Sequence, residues 1–346
     1  MTLKIFADLH HSDLYYSLHM LFEGRLNFEL YRPIGLDWFH EGYWKIAAPY
    51  NNAIDTVNQY LEISSSPWDQ YNNLNGNHYV EDDVYHIFEP VHEYHQKAIT
   101  FAKFKEMEFD IIMPTIVAHD KPYLEMQQKY HPKAKVIAQM GNVNQRTVLN
   151  NVLHSVPYTP RPGQNAVYYH QEIDHNLYKY QAPDANTKNM YSMVNCLPYA
   201  GIYNQYKEAL TEVDMKAFGG GCPDGSLFGS KGVAEKMTEA NIGWHLKPGD
   251  GFGHTAMGWF YSGRPVITKM SDVIGFGADA PKLFEPGVTC HDLEAHTFEE
   301  NCRMIRAMFE PEANQAWCER SKQRFNEIIN YDAEEIKIRE FLGRLL

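Results

Sequence analysis

The stretch Asp250-Gly251-Phe252-Gly253-His254-Thr255 has the residue types of an anion cradle. Gly251 and Gly253 let a backbone approach a ligand without a Cβ in the way, and a helix opening near His254 turns its unpaired N–H groups back onto that loop. A diphosphate would be held there by the amides of Gly253, His254 and Thr255, the Thr255 hydroxyl and the helix dipole. The same residues also read as an ordinary αβ connection, because Gly263 followed by Val266-Ile267-Thr268 is all that a helix stop and a buried strand need.

Two further groups carry ionisable side chains just beyond apolar runs. Asp8, His10 and His11 follow residues 3–7, and His119 follows residues 109–114. A carboxylate or imidazole at such a strand end can accept a proton from an attacking hydroxyl. The alternative is structural: Asp8 and Ser12 are good helix caps, and His119 is a solvated loop residue. Asp and His at a strand end can also bind divalent metals, which would need more ligands at later strand ends.

The elements that must position these groups alternate. In the first half, strands are expected at residues 3–7, 28–31, 109–113 and 135–139, the last leading to Gly141-Asn142. Helices are expected at 12–22, 91–105 and 122–130. An aromatic insertion spans 38–90, with Ser64-Ser65-Ser66-Pro67 and residues 72–77 as loop markers. Residues 156–188 are rich in Pro and loop residues and carry the hinge. The second half restarts with strands at 190–195, 215–218, 242–246 and 263–268, interleaved with helices at 200–210, 231–240 and from 254. Three helical patterns then run to the end. Such alternation builds parallel sheets, with ligands off the carboxyl ends of the strands.

Composition narrows the partners. The 346 residues suit two α/β domains, and no apolar run approaches the roughly 18 residues of a membrane span. With 44 acids against 31 bases the net charge is −13, which disfavours tracking a phosphate backbone. The five cysteines (Cys196, Cys222, Cys290, Cys302, Cys318) show no metal-ligand spacing, and the opening residues lead straight into a strand; reduced thiols and a cytoplasmic location are expected.

Taken together, the order strand, Gly219-Gly220-Gly221 loop, helix, strand, Lys247-Pro248-Gly249-Asp250-Gly251-Phe252-Gly253, helix, Ser262-Gly263-Arg264-Pro265-Val266-Ile267, then Gly287-Val288 and C-terminal helices resembles a known family. It is similar to the nucleotide-sugar-binding C-terminal domain of GT-B glycosyltransferases of the group 1 / family 4 type. The resemblance covers about residues 190–346; the first half resembles that family in layout only. It implies an α/β chain of GT-B architecture, with two Rossmann-like domains whose doubly wound parallel sheets face a central cleft. The domains would be an acceptor-side domain at 1–170 with the insertion at 38–90, a hinge at 171–189, a donor-binding domain at 190–330, and a C-terminal helix at 331–346 crossing back to the first domain.

The resemblance further implies transfer of a hexosyl or pentosyl group from a nucleotide-sugar, a UDP-sugar by preference, with no metal or other cofactor required. The acceptor hydroxyl could lie on a glycan, a small molecule or a hydroxymethylated base of phage-type DNA. Catalytic roles would fall to Asp250, His11, Asp8 and His119. Donor contacts would come from Gly219, Gly220, Lys247, Gly251, Phe252, Gly253, His254, Thr255 and Asp272, and acceptor contacts from His10 and Asn142. The chain departs from the family pattern at one place. Many members have two glutamates eight positions apart around the Gly-Phe-Gly loop, and here Asp250 and Gly258 stand in those positions. Two other readings follow: a non-catalytic nucleotide-sugar binder, and a metal-dependent phosphoesterase built on Asp8, His10 and His11.

Overall fold

The computed structural model of the protein describes residues 2–8, 12–34, 78–142, 146–227, 229–248, 253–274 and 280–346. They fall into two compact units, Met1–Glu172 together with Tyr331–Leu346, and Ile173–Asn330.

The first unit contains β1 (Lys4–Ala7), α1 (Ser12–His19, continued by a π-helical turn at Met20–Arg25), β2 (Glu29–Pro33), β3 (His78–Glu81), β4 (Val84–Glu89), β5 (Tyr94–Ile99) and α2 (Phe101–Glu106). There follow β6 (Ile111–Met113), α3 (Asp120–Tyr130), β7 (Lys135–Val136), β8 (Ala138–Met140), β9 (Asn151–His154) and β10 (Asn165–Tyr168). Its main sheet has the order β3-β4-β5-β2-β1-β6-β7, and a second sheet the order β10-β9-β8. From β5 to β7 all pairs are parallel, whereas β4 and β3 add an antiparallel ribbon. Ile137 N–H bonds Ile112 C=O and Gln139 N–H bonds Pro114 C=O, so β7 and β8 are two halves of one strand that passes from one sheet to the next. The strand order reverses at β1, which makes the carboxyl ends of β1 and β6 the switch point where such sheets bind ligands.

One expectation fails here. Residues 91–105 are not one helix: Tyr94, Gln96 and Ala98 are buried while His95 is exposed, a period of two, and the helix is confined to α2, capped by the Thr100 hydroxyl. The apolar residues of this stretch fit either period, and cross-strand pairing with β4 decides between them. The part of the aromatic insertion that is described, 78–90, is a hairpin whose turn residues Asp82 and Asp83 both have positive φ, as a two-residue primed turn requires. Residues 38–77 of the insertion lie outside the described residues. The loop-rich stretch 156–188 also contains the strand β10.

The second unit contains β11 (Asn189–Ser192), α4 (Ala200–Ala209), β12 (Asp214–Ala217), α5 (Gly229–Glu239), β13 (Ile242–Trp244), α6 (His254–Tyr261), β14 (Val266–Thr268), α7 (Met270–Ile274), α8 (Ala280–Leu283), β15 (Cys290–Asp292), α9 (Phe298–Met308) and α10 (Pro311–Ile328). Its sheet has the order β12-β11-β13-β14-β15, parallel throughout. The inner strands β13 and β14 are short and fully buried, as in Val266-Ile267-Thr268, which is what a sheet covered on both faces selects. Gly243 lets α6 lie close on β13: a Cβ there would sit 2.8 Å from the Trp259 ring. α9 opens with a capping box between Thr297 and Glu300. The last helix, α11 (Tyr331–Gly343), packs on the first unit, where Glu334 accepts the backbone N–H of His170 at 2.7 Å and Arg25 bridges Glu172 and Asp332. Among the described residues no helix is long and apolar enough to cross a membrane, and all five cysteines are free thiols.

Candidate functional site

In the second unit the strand order reverses at β11, so the loops leaving β11 and β13 form its switch point. The loop after β11 is strained: Cys196, Leu197 and Tyr199 have φ of 61°, 40° and 60°. Left-handed backbone at residues other than glycine costs of order 1–3 kcal/mol each, and clusters where a loop must present groups to a ligand. The strain is held by hydrogen bonds to the loop after β12. Cys196 N–H donates to Gly220 C=O at 2.6 Å, and Gly220 N–H donates to Asn195 Oδ1 at 2.9 Å. Gly219 has φ +137°, and a Cβ on it would meet Asn195 Oδ1 at 2.6 Å. Gly219 and Gly220, expected as ligand contacts, thus have the internal task of locking one loop onto the other.

β13 ends in His245, buried and held neutral, its pKa pushed down to about 3 by burial and by the nearby charge of Lys247. Lys247 follows, half-buried. Gly249, Asp250, Gly251 and Phe252 lie outside the described residues. Gly253 is left-handed at φ +86° and caps α6 with no side chain to offer, and the first intrahelical bond runs from Met257 N–H to Gly253 C=O. The amides of His254 and Thr255 precede that bond, and both residues are half-buried. A left-handed glycine cap and a helix N-terminus therefore meet here. Arg264, the one arginine of this motif, is spent on the carbonyls of Gln181 and Thr238.

Gly258, on the next turn of α6, is buried, and a Cβ there would lie 2.9 Å from Tyr178 Cε1 and 3.0 Å from Met237 Sδ. No carboxylate side chain fits at that position. A different acid stands on the carboxyl edge of the sheet: Asp272, in α7 after β14, accepts the Tyr199 hydroxyl at 3.0 Å through Oδ1, while Oδ2 is buried with no partner among the described residues. Lys269 lies 4.6 Å over the Tyr199 ring and 3.5 Å from Glu294. The first amides of α7 are already taken by Asp292 and Glu294.

In the first unit the structure brings together two residues that the sequence separates by 111 positions. Asp8, just past β1, and His119, just before α3, are both buried, and His119 Nδ1 donates to Asp8 Oδ2. Asp8 N–H is anchored on Met113 C=O at 3.0 Å, which ties the pair to the ends of β1 and β6. With Nδ1 committed to the carboxylate, Nε2 is the ring nitrogen that can take a proton. His10 and His11 lie outside the described residues. Asn142 is half-buried just beyond β8.

Asp120 has no assigned role in the sequence reading, yet it adjoins this pair. It is 2% exposed, its Oδ2 accepts the Thr147 hydroxyl and the Val148 N–H, and its Oδ1 is buried with no partner among the described residues. Burial pushes its carboxyl up to about 6. The available signal was an acid directly after His119 at a helix start, where caps are so common that it did not stand out. Among the described residues no three His, Cys, Asp or Glu side chains come together as a metal site.

No protein-family model matches the sequence, and no curated protein does. Solved structures do match over the whole chain. A sucrose-phosphate synthase from Thermosynechococcus elongatus superposes with a TM-score of 0.60 at 12% identity, covering 99% of each chain. A glycosyltransferase from Rickettsia africae ESF-5 gives 0.60 at 10% identity over 99% of this chain and 98% of that one. TarM gives 0.60 at 9% identity over 99% of both. At these identities the likeness is one of fold, and the fold of the chain is GT-B, with two Rossmann-like α/β units of parallel strands.

Proposed function

We propose that the chain is a glycosyltransferase that takes a sugar from a nucleotide-sugar, a UDP-sugar by preference, and transfers it to an acceptor hydroxyl. The observation that carries this is the α6 N-terminus behind left-handed Gly253, at the carboxyl end of β13 and beside the strained loop after β11. A variant of TarM from S. aureus, similar in fold at a TM-score of 0.57, is described in complex with UDP, which supports UDP as the nucleotide.

In this reading the amides of Gly253, His254 and Thr255 and the Thr255 hydroxyl hold the diphosphate, with Lys247 as the nearby cation and Gly251 and Phe252 shaping the approach. Asp250 meets the transferred sugar. Asp272 supplies the hydroxyl acceptor that Gly258 lacks, and Gly219 and Gly220 hold the loop in place. The acceptor side is the first unit: His119, oriented by Asp8, takes the proton of the attacking hydroxyl, with His10, His11 and Asn142 around it. The leaving diphosphate is stabilised by amides and a helix end, an electrostatic contribution that routes no step through a metal.

One observation favours a second reading, that of a nucleotide-sugar binder without turnover: position 258 is closed to the second acid of the family. The test of donor binding is a thermal-shift series with nucleoside diphosphates, with and without chelator, since a ligand of the native state alone raises its apparent stability. A rise with UDP that survives chelation is expected. No rise with any nucleotide would contradict the donor site, and release of sugar or UDP from a UDP-sugar excludes the binder.

A further inference from the structure

The chain passes between its two units twice, from Glu172 to Ile173 and from Asn330 to Tyr331. The second passage is short, since only Ile329 and Asn330 separate the end of α10 at Ile328 from the start of α11 at Tyr331. Relative motion of two such units is the default expectation, and it is taken up by the few residues of the connections. Both passages leave the first unit beside one side chain. Arg25, at the end of the π-helical turn after α1, donates from Nε and Nη2 to the two carboxylate oxygens of Glu172 at 3.0 and 3.1 Å, and from Nη1 to Asp332 Oδ1 at 2.7 Å. Its guanidinium also lies 5.6 Å from the centroid of the Tyr331 ring. One side chain thus holds the last residue before the first passage and the first two after the second.

The two grips differ in strength. The Glu172 side chain is 5% exposed and that of Arg25 22%, and a bidentate guanidinium–carboxylate pair largely shielded from water is strong and geometrically specific. Glu172 is further fixed by its own N–H, which donates to Ser17 Oγ at 2.8 Å. The Asp332 side chain is 89% exposed, and a single exposed contact of this kind is weak and screened by salt. α11 does not depend on it. Buried Glu334 accepts the His170 N–H at 2.7 Å and bonds the same residue's ring at Nδ1, and Arg339 Nη2 donates to Arg25 C=O at 2.5 Å. Glu335 Oε2, 3.9 Å from Arg25 Nη1, remains as a nearby carboxylate when Asp332 is withdrawn.

We propose that Arg25 is the pin of a hinge made of the two passages, with Glu172 as its fixed grip and Asp332 as a grip that lets go. Release of Asp332 lengthens the second passage from residues 329–330 to residues 329–333, while Glu334 and Arg339 keep α11 in place. The pairing of a shielded bidentate contact with an exposed single one is what separates such a pin from an ordinary surface ion pair.

The test is limited proteolysis of the full chain, with each cleavage site identified by mass spectrometry and its rate taken relative to cleavage elsewhere, beside urea denaturation. Raising salt to about 0.5 M is expected to speed cleavage at residues 329–334 severalfold, because the exposed contact is screened. Asp332→Asn should do the same at low salt, leave the denaturation midpoint unchanged and abolish the response to salt. Arg25→Met is expected to speed cleavage by about tenfold on both passages, residues 171–176 and 329–334, since opening governs the rate. Asp332→Asn and the salt series decide alone should Arg25→Met fail to fold. Parental cleavage in Asp332→Asn, a salt response that survives this substitution, or faster cleavage spread over the first unit with a lower midpoint would each overturn the hinge.

Discussion

His119 donates its Nδ1–H to the carboxylate of Asp8, and both groups are buried where β1 and β6 end. A buried carboxylate on one ring nitrogen fixes the tautomer and the ring orientation, the arrangement that a general base needs. Asp8→Asn, which preserves shape but not charge, and His119→Ala are each expected to lower sugar transfer by at least about a hundredfold, roughly 2.7 kcal/mol, because general-base catalysis contributes on that order. UDP affinity should stay within about twofold. Initial rates beside a UDP titration decide it, and wild-type rates in both variants would remove the pair from the reaction.

Gly258 stands where the resemblance to GT-B enzymes would put a second acid, yet Tyr178 and Met237 fill the space a side chain would need. Gly258→Glu is therefore expected to cost at least about 3 kcal/mol of stability, from overpacking and a buried carboxylate together. Urea denaturation measures it. A variant of parental stability that binds UDP more tightly would mean that position 258 reaches the donor after all.

Asp120 provides a pH signature. Burial raises its folded pKa to about 6 from the ordinary 3.8, so the folded state favours the protonated form. The fold is unopposed by this group below about pH 4, and stability is lost as pH rises through the interval from 3.8 to 6, by about 2–3 kcal/mol in all. Asp120→Asn, which can still accept from Thr147 and Val148, should match the parent near pH 4 and exceed it by that amount at pH 7. Denaturation at the two pH values checks it, and a difference that does not change with pH would show that Asp120 titrates normally.

The legibility of the chain followed the length and contrast of its segments. Residues 190–346 could be ordered from sequence because short β-branched runs such as Val266-Ile267-Thr268 are bounded by glycines and alternate with helices that have clear caps. The ribbon β3–β4–β5 could not, because its His, Tyr and Phe residues carry no clean period, and the pairing of β4 with β5 overrides the helical reading of residues 91–105. At the site, Asp8 and His119 were each recognisable as strand-end residues, but their contact spans 111 positions and depends on the parallel pairing of β1 with β6. The closure of position 258 was equally hidden, since Tyr178 and Met237 reach it from other elements.

Turnover of a UDP-sugar in Thr255→Val and Asp250→Asn tests the central claim most directly, because the two residues are assigned different parts of one donor. Thr255 stands in the first turn of α6, and its hydroxyl is assigned to the diphosphate. Thr255→Val should weaken UDP by about 1 kcal/mol, one hydrogen bond. Asp250→Asn should keep UDP affinity and lower the release of UDP from the UDP-sugar by at least about tenfold, roughly 1.4 kcal/mol. Parental affinity in the first variant together with parental turnover in the second, or no UDP release by the parent from any UDP-sugar in the presence of neutral acceptors, would contradict the account.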